Sequence, residues 1–135
     1  MFNPKYSATA PETALEIGKH MEVEVRNVDG ITVVRLCGPR LDAAQSVRFK
    51  EALRDISDKG ADHILLDMSK ISFMDSSGLG AIVTVLKQMG QAKSLELAGL
   101  TPIVAKVFAL TRMDKIFRLH DTVDAALCSC RKVAG

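Results

Sequence analysis

Short apolar runs alternate with helix-length segments along this chain, and that order restricts the fold more than any other feature. The apolar–polar alternation of MEVEVRNV predicts a half-buried strand, and the more apolar ITVVRLCG predicts a central one. Asp29-Gly30 between them is a hairpin turn signal, so these two strands should pair antiparallel. The later strand-like runs, HILLDMS, SLELAGL and a short one at 117–119, are separated by helical segments, which favours parallel pairing through right-handed crossovers.

Capping signals predict where the helices begin. Asp42 with Gln45 three residues later resembles a capping box, and Thr101 followed by Pro102 is a strong start signal. Asp121 is the predicted cap of the last helix. The predicted class is therefore α/β, a single domain with a mixed four- to five-stranded sheet. Its N-terminal hairpin is antiparallel, the remainder is parallel, and about four helices pack on it.

Two further segments have weaker patterns. Residues 1–20 are predicted to be a tail, with at most a short helix around PETALEI. The spacing of Leu110, Met113, Ile116 and Leu119 predicts that these four side chains pack against the last helix.

Composition disfavours several classes of function. The 135 residues are 47% hydrophobic and 25% charged, which is ordinary for one globular domain. The net charge of +2 is spread along the chain, and with no Trp and one Tyr a direct nucleic-acid interface is disfavoured. Neither a secretory apolar region nor a membrane-length apolar window is seen, so we expect a cytoplasmic protein without membrane insertion.

The metal-binding residue types are scattered. The cysteines have no C-x-x-C spacing and the histidines are isolated in the sequence. We therefore expect reduced cysteines, no metal and no cofactor. The residues concerned are Cys37, Cys128, Cys130, His20, His63 and His120.

The segment SFMDSSGLGAIVTVL places Asp75, Ser76 and Ser77 where a strand runs into an apolar helix. Helix capping is the plainest interpretation, because Asp and Ser are favoured N-caps. Capping does not explain Gly78 and Gly80, since glycine costs about 1 kcal/mol relative to alanine in a helix interior. Glycines there indicate close approach, by a neighbouring strand or by something that binds from outside.

Three other interpretations compete with capping. A nucleophile elbow would use a serine with Asp114 and His120, but G-x-S-x-G fails at both serines. The phosphate-loop spacings also fail, with Val83 where a third glycine would stand; weak nucleotide binding stays open because helix N-termini attract anions. Finally, a serine could receive phosphate, which a helix N-terminus tolerates but a docked partner would not.

ISFMDSSGLGAIV, preceded by HILLDMS and by LCGPRLDAA, resembles the STAS domain of bacterial anti-sigma-factor antagonists. The resemblance runs from about Met21 to Val133 and implies a STAS domain over 21–135. It implies that Ser76 is the phosphorylated residue, and that Asp75, Ser77, Gly78 and Asp42 support the phosphosite or contact a partner.

In this resemblance Ser77 is expected to cap the helix, and capping is an equal alternative for Asp42. In the resemblance, Pro39-Arg40 stands where many members have a single residue, often acidic, so the loop that a partner should contact is altered here.

The resemblance also implies a partner-switching cycle. The unphosphorylated protein would bind an anti-sigma factor that is also a serine kinase, and a metal-dependent serine phosphatase would reset the phosphorylated form. The chain would be the substrate of that kinase and not an enzyme. A STAS scaffold without a sigma factor is the alternative, and an esterase-like hydrolase is a distant third.

Overall fold

The computed structural model describes residues 22–134, with side chains described as far as residue 129. The predicted tail, its short PETALEI helix and the Cys130 side chain lie outside that part. The elements in chain order are β1 (Val23–Val28), β2 (Ile31–Leu36), β3 (Arg40–Leu41), α1 (Ala43–Asp58), β4 (His63–Asp67), β5 (Phe73–Met74), α2 (Ser76–Met89), β6 (Ser94–Ala98), α3 (Pro102–Leu110), a 3-10 turn (Met113–Lys115), β7 (Arg118–His120) and α4 (Val123–Ala134).

The main sheet has five strands in the order β1-β2-β4-β6-β7. Strands β1 and β2 pair antiparallel, and the other neighbours pair parallel. The hairpin turn has positive φ at Asp29 (51°) and Gly30 (83°), as a two-residue type I′ turn requires. This confirms the predicted mixed α/β sheet with its antiparallel N-terminal hairpin. A second small sheet, the parallel pair β3–β5, was not predicted from the sequence.

The two faces of the main sheet bury separate apolar clusters. Helices α1, α2 and α3 cover one face, and α4 covers part of the other. The larger cluster includes Val34, Leu36, Phe49, Leu53, Ile64, Leu66, Ile82, Val85, Leu97, Val104 and Phe108. The smaller cluster comprises Ile31, Val33, Leu65, Ala98, Ala126 and Leu127, with Val28 and Val123 partly buried against it. Side chains alternate between the faces along each strand, so each central strand contributes to both clusters.

The N-cap residues predicted from the sequence are confirmed for α1 and α3 but not for α4. Thr101 is the N-cap residue of α3, although its hydroxyl donates to the carbonyl oxygen of Ile71 (2.8 Å) instead of capping. At α4 the expected Asp121 cap is wrong. Thr122 Oγ1 accepts from the backbone N–H of Ala125 (3.0 Å), because only the residue directly before the helix is close enough to those first amides.

The prediction that residues 110–119 pack against the last helix is wrong, because the cluster to which two of the four side chains contribute lies on the sheet face that α4 does not cover. Met113 and Leu119 pack against the larger cluster, but the exposed fractions of Leu110 and Ile116 are 74% and 54%. Arg112 has a left-handed backbone (φ 63°) and a 3-10 turn follows, so the helical period of α3 does not continue through this segment.

Histidines that are isolated in the sequence come together in the sheet. His63 on β4 and His120 on β7 flank the buried Glu96 on β6, with Nε2-to-carboxylate distances of 2.8 and 2.5 Å. Within residues 22–134 no three side chains of the metal-binding types are arranged to hold an ion. In the same range no helix is both long and apolar enough to cross a bilayer.

Candidate functional site

The small sheet β3–β5 brings together two segments that are more than thirty residues apart in the sequence. Arg40 pairs with Phe73, and Leu41 pairs with Met74, in parallel register. The pairing begins one residue earlier, where the carbonyl oxygen of Pro39 accepts from the backbone N–H of Ser72 (2.8 Å) and of Phe73 (3.2 Å). The GPRLD and FMDSS segments are therefore neighbours in space, as a shared site requires.

Each of these short strands runs directly into a helix through a capping aspartate. Asp42 Oδ1 accepts from the backbone N–H of Gln45 (3.2 Å) at the start of α1, and Asp75 Oδ1 accepts from that of Gly78 (3.0 Å) at the start of α2. Both aspartates have extended backbone, so they continue the register of Leu41 and Met74 by one position. The N-termini of α1 and α2 thus lie side by side where β3 and β5 end. This edge of the small sheet is formed by Asp42, Asp75 and the first residues of the two helices.

Ser76 and Ser77 occupy the first two positions of α2, and both are exposed. In the part of the chain that the structure describes, neither hydroxyl makes a hydrogen bond. The expectation that Ser77 caps the helix is therefore wrong. An N-cap residue has non-helical backbone and accepts from amides two or three residues on, a position that Asp75 already holds. For Asp42, the capping alternative is confirmed.

Gly78 and Gly80 have different environments. A Cβ on Gly78 would lie 2.0 Å from the carbonyl oxygen of Leu41, so glycine is needed for α2 to pack against β3. At Gly80, which is exposed, an added Cβ would meet no atom of the described residues within 4 Å. The neighbouring strand thus explains Gly78, and Gly80 leaves an open backbone surface one turn after Ser76.

Arg40 is a charged residue at this edge whose contacts the sequence did not predict. Its Nε donates to Asp42 Oδ2 (3.1 Å), and its guanidinium carbon lies 4.2 Å from the centroid of the Phe73 ring. The hydrogen bond from Arg40, with its charge, holds the pKa of the Asp42 carboxyl below its usual range. Only the Pro39-Arg40 departure from the resemblance pointed to this residue, because the stacking on Phe73 depends on β3–β5 pairing.

Among residues 22–134, the arrangement does not include the catalytic pair that a hydrolase needs. A nucleophilic serine requires a hydrogen-bonded base, usually histidine. His120 Nε2 instead contacts Glu96 within the main sheet, and Asp114 lies in the exposed 3-10 turn. What the edge offers is an exposed hydroxyl at a helix N-terminus, where backbone N–H groups and the helix dipole favour an added anion.

Comparison with known proteins agrees with this geometry. The family model described as STAS domain matches residues 22–126. The anti-sigma-B factor antagonist of Listeria monocytogenes is 30% identical over 102 residues, which are 75% of this chain and 88% of that protein.

Solved structures share the fold. An anti-sigma factor antagonist from Mycobacterium paratuberculosis superposes with a TM-score of 0.73 and 25% identity, covering 81% of this chain and 92% of that one. The Bacillus cell fate determinant SpoIIAA in its phosphorylated form gives a TM-score of 0.61 at 23% identity, covering 80% of this chain and 98% of that one, and shows likeness of fold alone. With 105 of its 135 residues matched by the family model (22 to 126), this chain belongs to the STAS domain family.

Proposed function

We propose that this chain is an anti-sigma-factor antagonist whose binding is switched by phosphorylation of Ser76. In the unphosphorylated state it binds an anti-sigma factor that is also a serine kinase, and the sigma factor is released. The kinase then transfers phosphate from ATP to the Ser76 hydroxyl, and the phosphorylated protein dissociates. A metal-dependent serine phosphatase hydrolyses the phosphate and resets the cycle. The chain itself is a binding module in the cytoplasm and not an enzyme.

The observation on which the proposal depends is the exposed Ser76 hydroxyl at the first position of a fixed helix. Phosphate there adds a charge of about −1.5 to −2, which the helix N-terminus tolerates, so the fold should be preserved. The capping carboxylates Asp75 and Asp42 are already at this edge. A partner seated on it would have to desolvate the phosphate as well as these carboxylates, which weakens binding.

Gly80 supports a docking role for the same helix face. It lies four residues after Ser76, so the two positions are on one side of α2. An exposed glycine in a helix interior costs about 1 kcal/mol relative to alanine, and nothing in the described part of the chain requires it here. Close approach of a partner to the helix backbone gives a physical reason for that cost.

The relatives are consistent with the proposal. The Listeria monocytogenes and Mycobacterium paratuberculosis proteins are named as antagonists of anti-sigma factors. A third protein of this fold was solved in a phosphorylated form. By this comparison, the partner that the chain binds would be an anti-sigma factor.

Binding of charge variants to the anti-sigma kinase tests the proposal. Titration calorimetry should show wild-type affinity for Ser76→Ala and at least about tenfold weaker binding for Ser76→Asp, a change of roughly 1.4 kcal/mol. Ser94→Asp is the matched control, because Ser94 is exposed at the start of β6, at the opposite edge of the parallel strands. Equal binding of Ser76→Asp and Ser94→Asp, with both folds intact by circular dichroism, would contradict the switch.

A further inference from the structure

The guanidinium of Arg40 is held at the same exposed edge as Ser76. Its side chain is 57% exposed, and it lies between the Phe73 ring and the Asp42 carboxylate. Arg40 and Phe73 are directly paired across β3–β5, so their side chains point to the same face of the small sheet. Asp42 and Asp75 follow two positions later on their strands and therefore share that face.

Most of the hydrogen-bonding capacity of Arg40 is unused. A guanidinium has five N–H donors, and within the part of the chain described here only Nε of Arg40 has an acceptor, Asp42 Oδ2. Stacking on Phe73 uses the flat face of the group and leaves its edge free. The two terminal nitrogens can therefore bind a second anion without breaking the contact with Asp42.

The register places phosphate on Ser76 within reach of those nitrogens. Arg40 is paired with Phe73 across the small sheet. Ser76 comes three residues after Phe73, and the backbone from Phe73 to Asp75 is extended. With a rise of about 3.3 Å per residue and a strand spacing of about 4.8 Å, the Cα atoms of Arg40 and Ser76 are roughly 11 Å apart. An extended arginine and a phosphoserine side chain together span such a distance.

We propose that Arg40 binds the phosphate of phosphorylated Ser76 within the same chain, as an internal phosphoserine clamp. This inference rests on the proposed function, because it takes Ser76 as the modified residue. Arginine suits the role, since its planar fork matches two phosphate oxygens.

The clamp has a consequence for the switch. Contact between Arg40 and the phosphate ties the first turn of α2 to β3, so the new group is held at the edge in one orientation. A partner then meets an anion that is already paired within the chain. Its own cations would have to compete with Arg40 for the phosphate oxygens, which strengthens rejection of the phosphorylated form.

The second ionisation of the phosphate reports the clamp directly. Phosphoserine can be installed at position 76 of the full chain during translation, and its titration followed by ³¹P NMR. We expect the second pKa of the phosphate to be about 0.5 to 1 pH unit higher in Arg40→Gln than in the parent phosphoprotein, because a nearby opposite charge favours the dianion. Arg40→Lys, which keeps the charge but not the fork, should fall between the two.

Arg54→Gln is the matched control. It removes the same charge from an exposed position on α1, about 17 Å along the helix from its first residue. The inference is overturned if Arg40→Gln and Arg54→Gln change the phosphate pKa equally, with circular dichroism showing both folded. Because the phosphate is installed without a kinase, this result is separate from the binding test of Ser76→Asp, and either proposal can fail alone.

Discussion

Replacing Gly78 with alanine should separate α2 from β3, and the structure allows the effect to be estimated. The added Cβ would lie 2.0 Å from the carbonyl oxygen of Leu41, 2.9 Å from its carbonyl carbon and 3.0 Å from its Cγ. Close carbon–oxygen contacts in proteins are about 3.3 to 3.6 Å, so the two backbones must move apart by more than about 1 Å. A backbone carbonyl cannot rotate away as a flexible side chain can.

The free energy of unfolding should fall by about 2 kcal/mol. Overpacking of a tight contact costs about 1 to 3 kcal/mol, and the upper end applies because both contacting groups are backbone. The better helix propensity of alanine returns about 1 kcal/mol at most. At roughly 4 °C per kcal/mol for a domain of this size, the melting temperature should drop by about 8 °C.

Gly80→Ala provides the matched comparison two residues away on the same helix. An added Cβ there meets nothing within 4 Å in the part of the chain that the structure describes, so the propensity gain is not opposed and the melting temperature should rise by about 2 to 4 °C. Thermal unfolding followed by circular dichroism measures both variants. If Gly78→Ala were as stable as Gly80→Ala, the close approach of α2 to β3 would be wrong.

Two further predictions concern side chains whose roles the structure defines. Asp75→Ala should lower the free energy of unfolding by about 1 kcal/mol, whereas Ser77→Ala should change it by less than about 0.5 kcal/mol, as measured by urea denaturation. A larger loss for Ser77→Ala than for Asp75→Ala would reverse the assignment of the cap. Burial raises the pKa of the Cys37 thiol to about 11, two pH units above its ordinary 9.0, so below pH 9 its thiolate fraction should be about a hundredfold smaller than that of an ordinary cysteine. Iodoacetamide at pH 8, followed by peptide mass spectrometry, should therefore label the exposed Cys128 before Cys37; faster labelling of Cys37 would contradict its burial.

The large elements were predictable because each has a period or a cap of its own. Alternation in MEVEVRNV, the Asp29-Gly30 turn and the Thr101-Pro102 start predict their elements from local chemistry alone. Parallel pairing then follows from the order of strands and helices. These signals were sufficient to predict a mixed sheet of four to five strands with about four helices packed on it.

The small sheet was not predictable, because two-residue strands have no period. The pairing of Arg40 with Phe73 depends on tertiary contacts, so the sequence could not reveal the stacked guanidinium. The cap of α2 was misassigned for a related reason. Asp75, Ser76 and Ser77 are all favoured caps, and the choice among them follows from the packing of Gly78 on Leu41, which fixes where the helix begins.

The exposure of two apolar side chains, Leu110 at the end of α3 and Ile116 before β7, was not predictable for a similar reason. The three-residue spacing of Leu110 and Met113 suits one helix face, but the left-handed Arg112 ends the helical period before Ile116. A left-handed residue other than glycine is uncommon, and nothing in the sequence marks this one.

Phosphosite mapping tests the central claim most directly. The purified chain is incubated with ATP and kinase-active lysate of its source organism, and the peptide spanning residues 72–86 is sequenced by mass spectrometry. The account predicts phosphate on Ser76, the exposed first residue of α2 beside the capping Asp75. Phosphate on Ser77 alone, or none on this peptide, would contradict it.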